Sequence, residues 1–300
     1  MGAARNHLIH PSFMLSAAII IANWNGKDHL RVCLDSLRLQ THSDFEVIVV
    51  DNGSTDGSLE MLAEEYPEVR VLALDENTGF VIASNRGAAL ADAEVLVMLN
   101  NDTEAEPQWL EALCQALEEH PEAGSAASKM LLFDRRDTIH SAGDMLGPDF
   151  MPQNRGVWEI DRGQYDDRIE IFGPCGGAAA YRREAWKQVG GFDERLFMYL
   201  EDVDLAWRLQ QTGWKSVFAP EARVYHHLSA TGGGVIASYY VGRNTLLLHR
   251  RYLTPGQWLK ALPAHAKIVV DALRAWRGEA ARARLRGVWH GVLGLEGKRH

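Results

Sequence analysis

Phe45-Glu46-Val47-Ile48-Val49-Val50-Asp51-Asn52-Gly53-Ser54-Thr55-Asp56-Gly57-Ser58 decides the fold. A β-rich run stops abruptly at a cluster of turn formers. Ser54 or Asp56 can then cap the helix that carries Leu59, Met61 and Leu62. The same order recurs on either side. Upstream, the apolar run 13–22 is too short to span a bilayer and reads as a strand buried on both faces. Trp24-Asn25-Gly26 breaks it, and a helical period follows through Leu30, Cys33, Leu34 and Leu37. Downstream, residues 69–74 form a third strand, followed by Asn77-Thr78-Gly79-Phe80 and a small-residue helix over 81–90. Residues 94–99 form a fourth strand, ending in Asn100-Asn101-Asp102-Thr103, and Pro107 suits the start of the next helix.

Strand–helix alternation with polar residues at the strand ends means a parallel, doubly wound sheet whose ligands sit at its carboxyl edge. Asp51, Asn77 and Asp102 all fall on that edge. Each alone serves equally well as a helix cap or turn former; together they outline a cleft.

The second half loses this regularity. Residues 125–133 read as a strand. Residues 134–170 are a polar, Gly- and Asp-rich excursion of the kind that contacts a substrate. In Gly173-Pro174-Cys175-Gly176-Gly177 a backbone without bulk approaches either a tightly packed neighbour or a sugar or phosphate. A short helix over 182–189 and the turn Gly190-Gly191-Phe192-Asp193-Glu194 lead to Glu201-Asp202-Val203-Asp204. Three carboxylates within four residues repel one another. A chain tolerates them at a helix start, where the macrodipole favours negative charge, or where a cation or a reacting proton uses them. The helix they open runs to about Gln211, and 214–219 and 222–227 are short extended pieces.

Composition sets the outer bounds. Three hundred residues with nine Trp, nine Phe and eight Tyr build one large α/β domain, or one domain with an appendage. Three distant cysteines and no CxxC pair point to a reducing compartment and away from disulfides or structural zinc. No signal peptide or repeat is visible. Residues 250–300 hold eleven Lys/Arg against three Asp/Glu, a balance of +8, so the total of −9 leaves −17 for residues 1–249. An acidic body with a basic tail implies two surfaces with different partners.

Six motifs, in order, resemble those of family 2 glycosyltransferases. They are residues 50–56, 77–80, 99–102, 190–194, 201–204 and Val224-Tyr225-His226-His227. Their spacing over residues 15–250 is similar to the rhamnosyltransferase-like branch that builds bacterial surface polysaccharides. The resemblance implies an α/β GT-A fold, with a Rossmann-like nucleotide-binding half (13–122) and an acceptor-binding, catalytic half (123–250) on a mixed central sheet. It also implies inversion at the anomeric carbon of a nucleotide-activated sugar, with Mg²⁺ or Mn²⁺ neutralising the leaving diphosphate.

By the same resemblance Asp102 is the metal-binding acid of a DxD motif. Asn100 stands at the first position, a departure that leaves one carboxylate fewer and shifts coordination to the diphosphate and a histidine. His226 and His227 point to opposite faces of an extended piece, so only one reaches the cleft, and the family pattern selects His226. Asp202 matches the general base of the ED motif, crowded by Glu201 and Asp204. Glu201 would orient the acceptor, and Asp204 either joins them or caps the helix. Asp51, with Ala22 and Asn23, would line the base and ribose pocket. Asn77, Asn85, Asn100, Asn101, Gly176 and Gly177 would lie along the donor. Arg243 would lie near the diphosphate or form a salt bridge to the acidic body.

The expected partners are a nucleoside diphosphate sugar and a glycan or lipid-linked glycan acceptor. The resemblance points to L-rhamnose from a dTDP donor. The alternatives are a UDP- or GDP-linked hexose, or a non-catalytic nucleotide-binding scaffold subunit that Asn100 would explain. The tail (251–300) reads as amphipathic helices: Trp258, Leu262, Val269, Leu273 and Trp276 on one face, Lys260, Lys267 and Arg274 on another, with Pro263 breaking the first. It either lies peripherally on the inner face of the plasma membrane or packs on the catalytic domain. No recognition motif for nucleic acid accompanies its charge. The expected compartment is the cytoplasm.

Overall fold

The computed structural model describes residues 15–227 and 234–298. The expected first-strand residue Phe13 lies outside the described residues. β1 (Ala17–Asn23), α1 (Lys27–Leu37), β2 (Phe45–Asp51), α2 (Ser58–Glu65), β3 (Arg70–Ala73), α3 (Phe80–Leu90) and β4 (Val95–Leu99) alternate as expected. They pair in parallel in the order β3-β2-β1-β4. Burial on both faces explains the unbroken apolar runs. Ile19, Ile20 and Ile21 are at most 1% exposed, and each contributes about 1.5–3 kcal/mol of burial. Alternate β1 residues feed two cores, one under α1 and one under α3. The small residues of α3 let it approach the sheet closely: a Cβ on Gly87 would stand 2.4 Å from Ile20 Cγ2.

Beyond β4 the sheet becomes mixed. Its further elements are β5 (Thr103–Ala105), α4 (Trp109–Glu119), β6 (Ala123–Leu132), β7 (Arg135–Ser141), the hairpin β8 (Asp144–Leu146) and β9 (Pro152–Asn154), β10 (Glu170–Ile171) and β11 (Ala178–Arg182). There follow α5 (Arg183–Val189), a 3₁₀ turn (Glu194–Leu196), α6 (Glu201–Gln211) and β12 (Lys215–His226). The sheet order is β10-β12-β6-β11-β4-β1-β2-β3, with β5 on β12 and β7 on β6. The two extended pieces at 214–219 and 222–227 are one strand, β12, irregular between Ala219 and Arg223.

The 134–170 excursion is ordered by one buried cation. Lys129 Nζ on β6 lies 2.8 Å from Asp166 Oδ1 and 3.1 Å from Asp161 Oδ2. A charged amine can stay in the core only with such partners.

Three helices close the chain: α7 (Gly234–Tyr252), α8 (Pro255–Arg274) and α9 (Glu279–Leu293). The expected boundary at residue 250 falls inside α7. Pro263 does not break the tail helix, because α8 runs through it. Gly287 and Gly291 bring α9 against α7 at backbone distance: a Cβ on Gly287 would stand 2.1 Å from Tyr239 O. Among the described residues, no helix is long and apolar enough to cross a membrane.

Candidate active site

The sheet order turns back on itself between β1 and β4, and the site begins there. Asn23 and Asp51 end the adjacent strands β1 and β2, Asn101 follows β4, and the three form a buried chain. Asn101 Nδ2 donates to Asn23 Oδ1 (2.8 Å), and Asn23 Nδ2 donates to Asp51 Oδ2 (2.9 Å). Asp51 Oδ1 accepts from Ser54 N–H (2.8 Å), so both its oxygens are engaged inside the protein. Ala22 ends β1 beside Asn23 and is half-buried.

A cavity of about 520 Å³ opens next to this chain. Asn100, Asp102, His140 and His226 line it, with Gly176, Gly177, Glu201 and Asp202. Of the residues singled out in the sequence, these seven, without His140, are brought together. His226 Nε2 lies 3.1 Å from Asp102 Oδ1 and 3.2 Å from Asn100 Nδ2. His227 points the other way and stacks on Phe133 at 3.6 Å. Asp102 Oδ1 and His226 Nδ1 are buried without a hydrogen-bond partner. Asp102 and His226 are thus the pair that could hold a cation. No group of three or more His, Cys, Asp or Glu that could hold a metal ion is found among the described residues.

On the facing wall α6 begins with its acids in the first turn. Asp202 Oδ2 accepts from Gly176 N–H and Oδ1 from Val203 N–H, both at 2.8 Å. A Cβ on Gly176 would crowd Asp202 at 3.3 Å, which explains the residue without bulk there. Burial raises the proton affinity of Asp202, and the two N–H donors pull it back. Glu201 is raised well above the usual range by burial and by the neighbouring Asp202 charge. Its Oε2 has no hydrogen-bond partner. Two backbone N–H donors favour the charged form of Asp202, whereas Glu201 Oε2 has none.

Asp204 does not crowd Asp202. It turns away into the body, where Arg208, Arg251 and the Tyr252 hydroxyl each reach it at 2.7 Å. It joins α6 to α7.

Arg243 is not at the cavity either. Its guanidinium is fully buried and donates to Leu196 O (2.7 Å) and Gly297 O (2.5 Å). Asn244 beside it donates to Leu196 O, Met198 O and Tyr199 O at 3.3, 3.0 and 2.7 Å. The segment they grip is strained: Phe197, Tyr199 and Leu200 have φ of 69°, 65° and 65°. This carbonyl clamp presents Glu201 and Asp202. Asn85 serves the same neighbourhood, exchanging hydrogen bonds with Phe192 N–H and O rather than lining the cavity. Asn77 Oδ1 accepts from Gly79 N–H, and its carbonyl accepts from Lys298 Nζ (2.8 Å).

The sequence did not reveal the residues that the excursion contributes. His140 stacks on His226 at 4.8 Å and 9°. Asp144, Gln153 and Asn154 also line the cavity. The only signal for them was the unusual length of the excursion.

A Rossmann-like half joined across a cavity to an acid-bearing half defines a glycosyltransferase of the GT-A architecture. Residues 18–190 match the model of glycosyl transferase family 2, and the chain belongs to that family. It is 34% identical over 245 residues to the N-acetylglucosaminyl-diphospho-decaprenol L-rhamnosyltransferase of Mycobacterium tuberculosis, covering 74% of this chain and 79% of that one. It is 30% identical over 228 residues to the O-antigen biosynthesis protein RfbC of Myxococcus xanthus, covering 71% of this chain and 17% of that protein. The fold resembles GalNAc-T7 solved with UDP, GalNAc and Mn²⁺, with a TM-score of 0.62, 19% identity, and 77% and 48% of the two chains covered. It also resembles a mannosyltransferase of Pyrobaculum calidifontis with GDP-Man and Mn²⁺, with a TM-score of 0.59, 16% identity, and 95% and 89% covered.

Proposed function

We propose that this glycosyltransferase moves L-rhamnose, with inversion, from dTDP-rhamnose to a lipid-linked, N-acetylglucosamine-bearing diphosphate. The observation that carries the chemistry is Asp202. Two backbone N–H groups favour its charged form in the wall of a cavity that also holds Asp102 and His226. One Asp202 oxygen takes the proton of the acceptor hydroxyl as that oxygen attacks the anomeric carbon. The bond from that carbon to the diphosphate breaks, and its electron pair leaves on the diphosphate oxygen. Asp102 Oδ1 and His226 Nε2 would hold Mg²⁺ or Mn²⁺, which would neutralise that leaving charge. Support for rhamnose and for the lipid-linked acceptor comes from the mycobacterial relative. A UDP- or GDP-linked hexose is the alternative donor.

The tail supports a peripheral seat on an anionic membrane. Leu259, Leu262, Val270 and Leu273 of α8, Trp276 just beyond it, and Trp289, Val292 and Leu293 of α9 are all exposed large apolar residues. Lys260, Lys267, Arg274 and Arg277 lie exposed among them. Basic, apolar helices of this kind rest in the headgroup region of anionic lipids.

The test is transfer from dTDP-rhamnose, UDP-glucose and GDP-mannose to a short-chain N-acetylglucosaminyl-diphospho-lipid, with Mn²⁺ and with chelator. Metal-dependent transfer from dTDP-rhamnose alone is expected. Transfer from another donor would replace rhamnose, and no transfer from any would sink the acceptor assignment.

A further inference from the structure

The acid cluster has a third member that no motif contains. Asp144 opens the β8–β9 hairpin, is 5% exposed, and fixes its backbone by donating N–H to Gly173 O at 2.7 Å. Its side chain lines the cavity with those of Gln153, Asn154, Glu201 and Asp202. Burial, and then the charges of Asp202 and Glu201, push its carboxyl well above the usual range. A neutral carboxyl is a hydrogen-bond donor as well as an acceptor.

A second observation points to a ligand. Glu201 Oε2 is buried against the same cavity with no hydrogen-bond partner. Native proteins seldom leave such an atom unpaired, and a polar ligand entering the cavity would satisfy it. The lining combines carboxyls and the amides of Gln153 and Asn154 with the apolar surfaces of Pro152, Met198 and Leu200. Planar polar groups beside apolar walls fit a sugar ring, which carries hydroxyls at its rim and C–H groups on its faces.

Asp144 stands beside the acid pair: its charge, like that of Asp202, bears on Cys175 and Tyr181. Its hairpin also leads away from the nucleotide edge. Phe150 O, between β8 and β9, meets His249 Nε2 at 3.0 Å, and His249 Nδ1 meets His265 Nε2 of α8 at 2.9 Å. The hairpin thus runs from the cavity wall to His249 of α7, which in turn meets His265 of α8, the helix that bears the exposed apolar stripe. A lipid-linked acceptor would enter by that route.

We propose that Asp144 is an acceptor-selecting residue, binding a hydroxyl of the acceptor sugar next to the hydroxyl that Asp202 deprotonates. This rests on the transfer reaction proposed above. A site built to pair a substrate hydroxyl discriminates strongly against an analogue that lacks it.

The experiment uses the full chain, dTDP-rhamnose and the short-chain N-acetylglucosaminyl-diphospho-lipid. Asp144→Ala should raise the KM of that probe at least tenfold, while the affinity for dTDP with Mn²⁺ stays within twofold. Asp144→Asn keeps a donor in the same shape, so it should restore the probe's KM to within about threefold of wild type. One monodeoxy form of the probe should show no difference between wild type and Asp144→Ala. An unchanged probe KM in Asp144→Ala, or a fall in dTDP affinity instead, overturns the proposal. So does Asn failing as badly as Ala. If wild type transfers nothing to the probe, the reaction assignment has failed. Saturation-transfer NMR of the probe on wild type and Asp144→Asn, each against Asp144→Ala, then reads Asp144 directly, and equal binding by all three overturns its role.

Discussion

His226 Nε2 stands 3.1 Å from Asp102 Oδ1, yet that carboxylate oxygen takes part in no hydrogen bond. Two buried ligand atoms facing each other in this way suit a shared cation better than each other. In wild type, nucleoside diphosphate affinity should fall at least tenfold when Mn²⁺ is chelated. Asp102→Asn and His226→Ala should show that lower affinity with or without metal. Titration calorimetry reads this, and a full Mn²⁺ effect in both variants would remove the pair from the cation site.

Asp202→Asn keeps the size of the side chain and removes the base. Transfer should fall by about 10²–10⁴-fold, the usual range for losing a general base. Nucleotide affinity should stay near that of wild type, because Asp202 is held by Gly176 and Val203 rather than by the cation pair. Large losses in binding would instead make it a ligand.

Asn244→Ala leaves the carbonyls of Met198 and Tyr199 without this donor in a segment already bent into positive φ. The expected cost is about 1–3 kcal/mol of stability for the unsatisfied acceptors. Because the segment leads directly into Glu201, kcat should fall more than acceptor KM changes. Thermal melting with steady-state kinetics checks both. A stability loss with normal kcat would confine Asn244 to the scaffold.

The sheet was legible because both-face burial writes apolar runs, and because the strands end in polar turns at the carboxyl edge. Asp51 and Asp102 stand at that edge, but of these two only Asp102 lines the cavity. Asp204 and Arg243 were not legible. A three-residue acid cluster looks the same whether its members face a cavity or, like Asp204, an arginine of a neighbouring helix. The tail was half legible. Its amphipathic period marked the helices, but the contact of Gly287 with Tyr239 depends on small residues, which carry no hydrophobic signal. Asp144 was hidden for a different reason: a two- or three-residue strand in a polar excursion has no period to read.

Burial, with the neighbouring His249 acting second, lowers the His265 imidazole to about 4. In the unfolded chain it titrates near 6.5. Between those values the unfolded state binds more protons, so stability must fall as pH drops from about 6.5 toward 4. His249 is lowered by its burial and adds in the same sense. Melting temperature should therefore decline over this window, and His265→Gln should flatten the decline. An equal slope in both proteins would assign the effect to other groups.

Replacing Leu259, Leu262, Leu273 and Trp276 together by Ser should leave the melting temperature nearly unchanged, because all four are exposed. Sedimentation with phosphatidylglycerol-rich vesicles should fall sharply, and with it transfer to a long-chain acceptor but not to a short-chain one. Undiminished vesicle binding would place the membrane contact elsewhere.

One guanidinium, that of Arg243, holds Leu196 O before the acid pair and Gly297 O near the end of the described chain. This has a consequence in time. A ribosome adds about 5–20 residues each second. The segment carrying Glu201 and Asp202 therefore exists for roughly 5–20 s before the partner at Gly297 has been synthesised, by the same rate. The nucleotide-binding half can fold early. The segment carrying Glu201 and Asp202 gains its full set of Arg243 contacts only after Gly297 has been made.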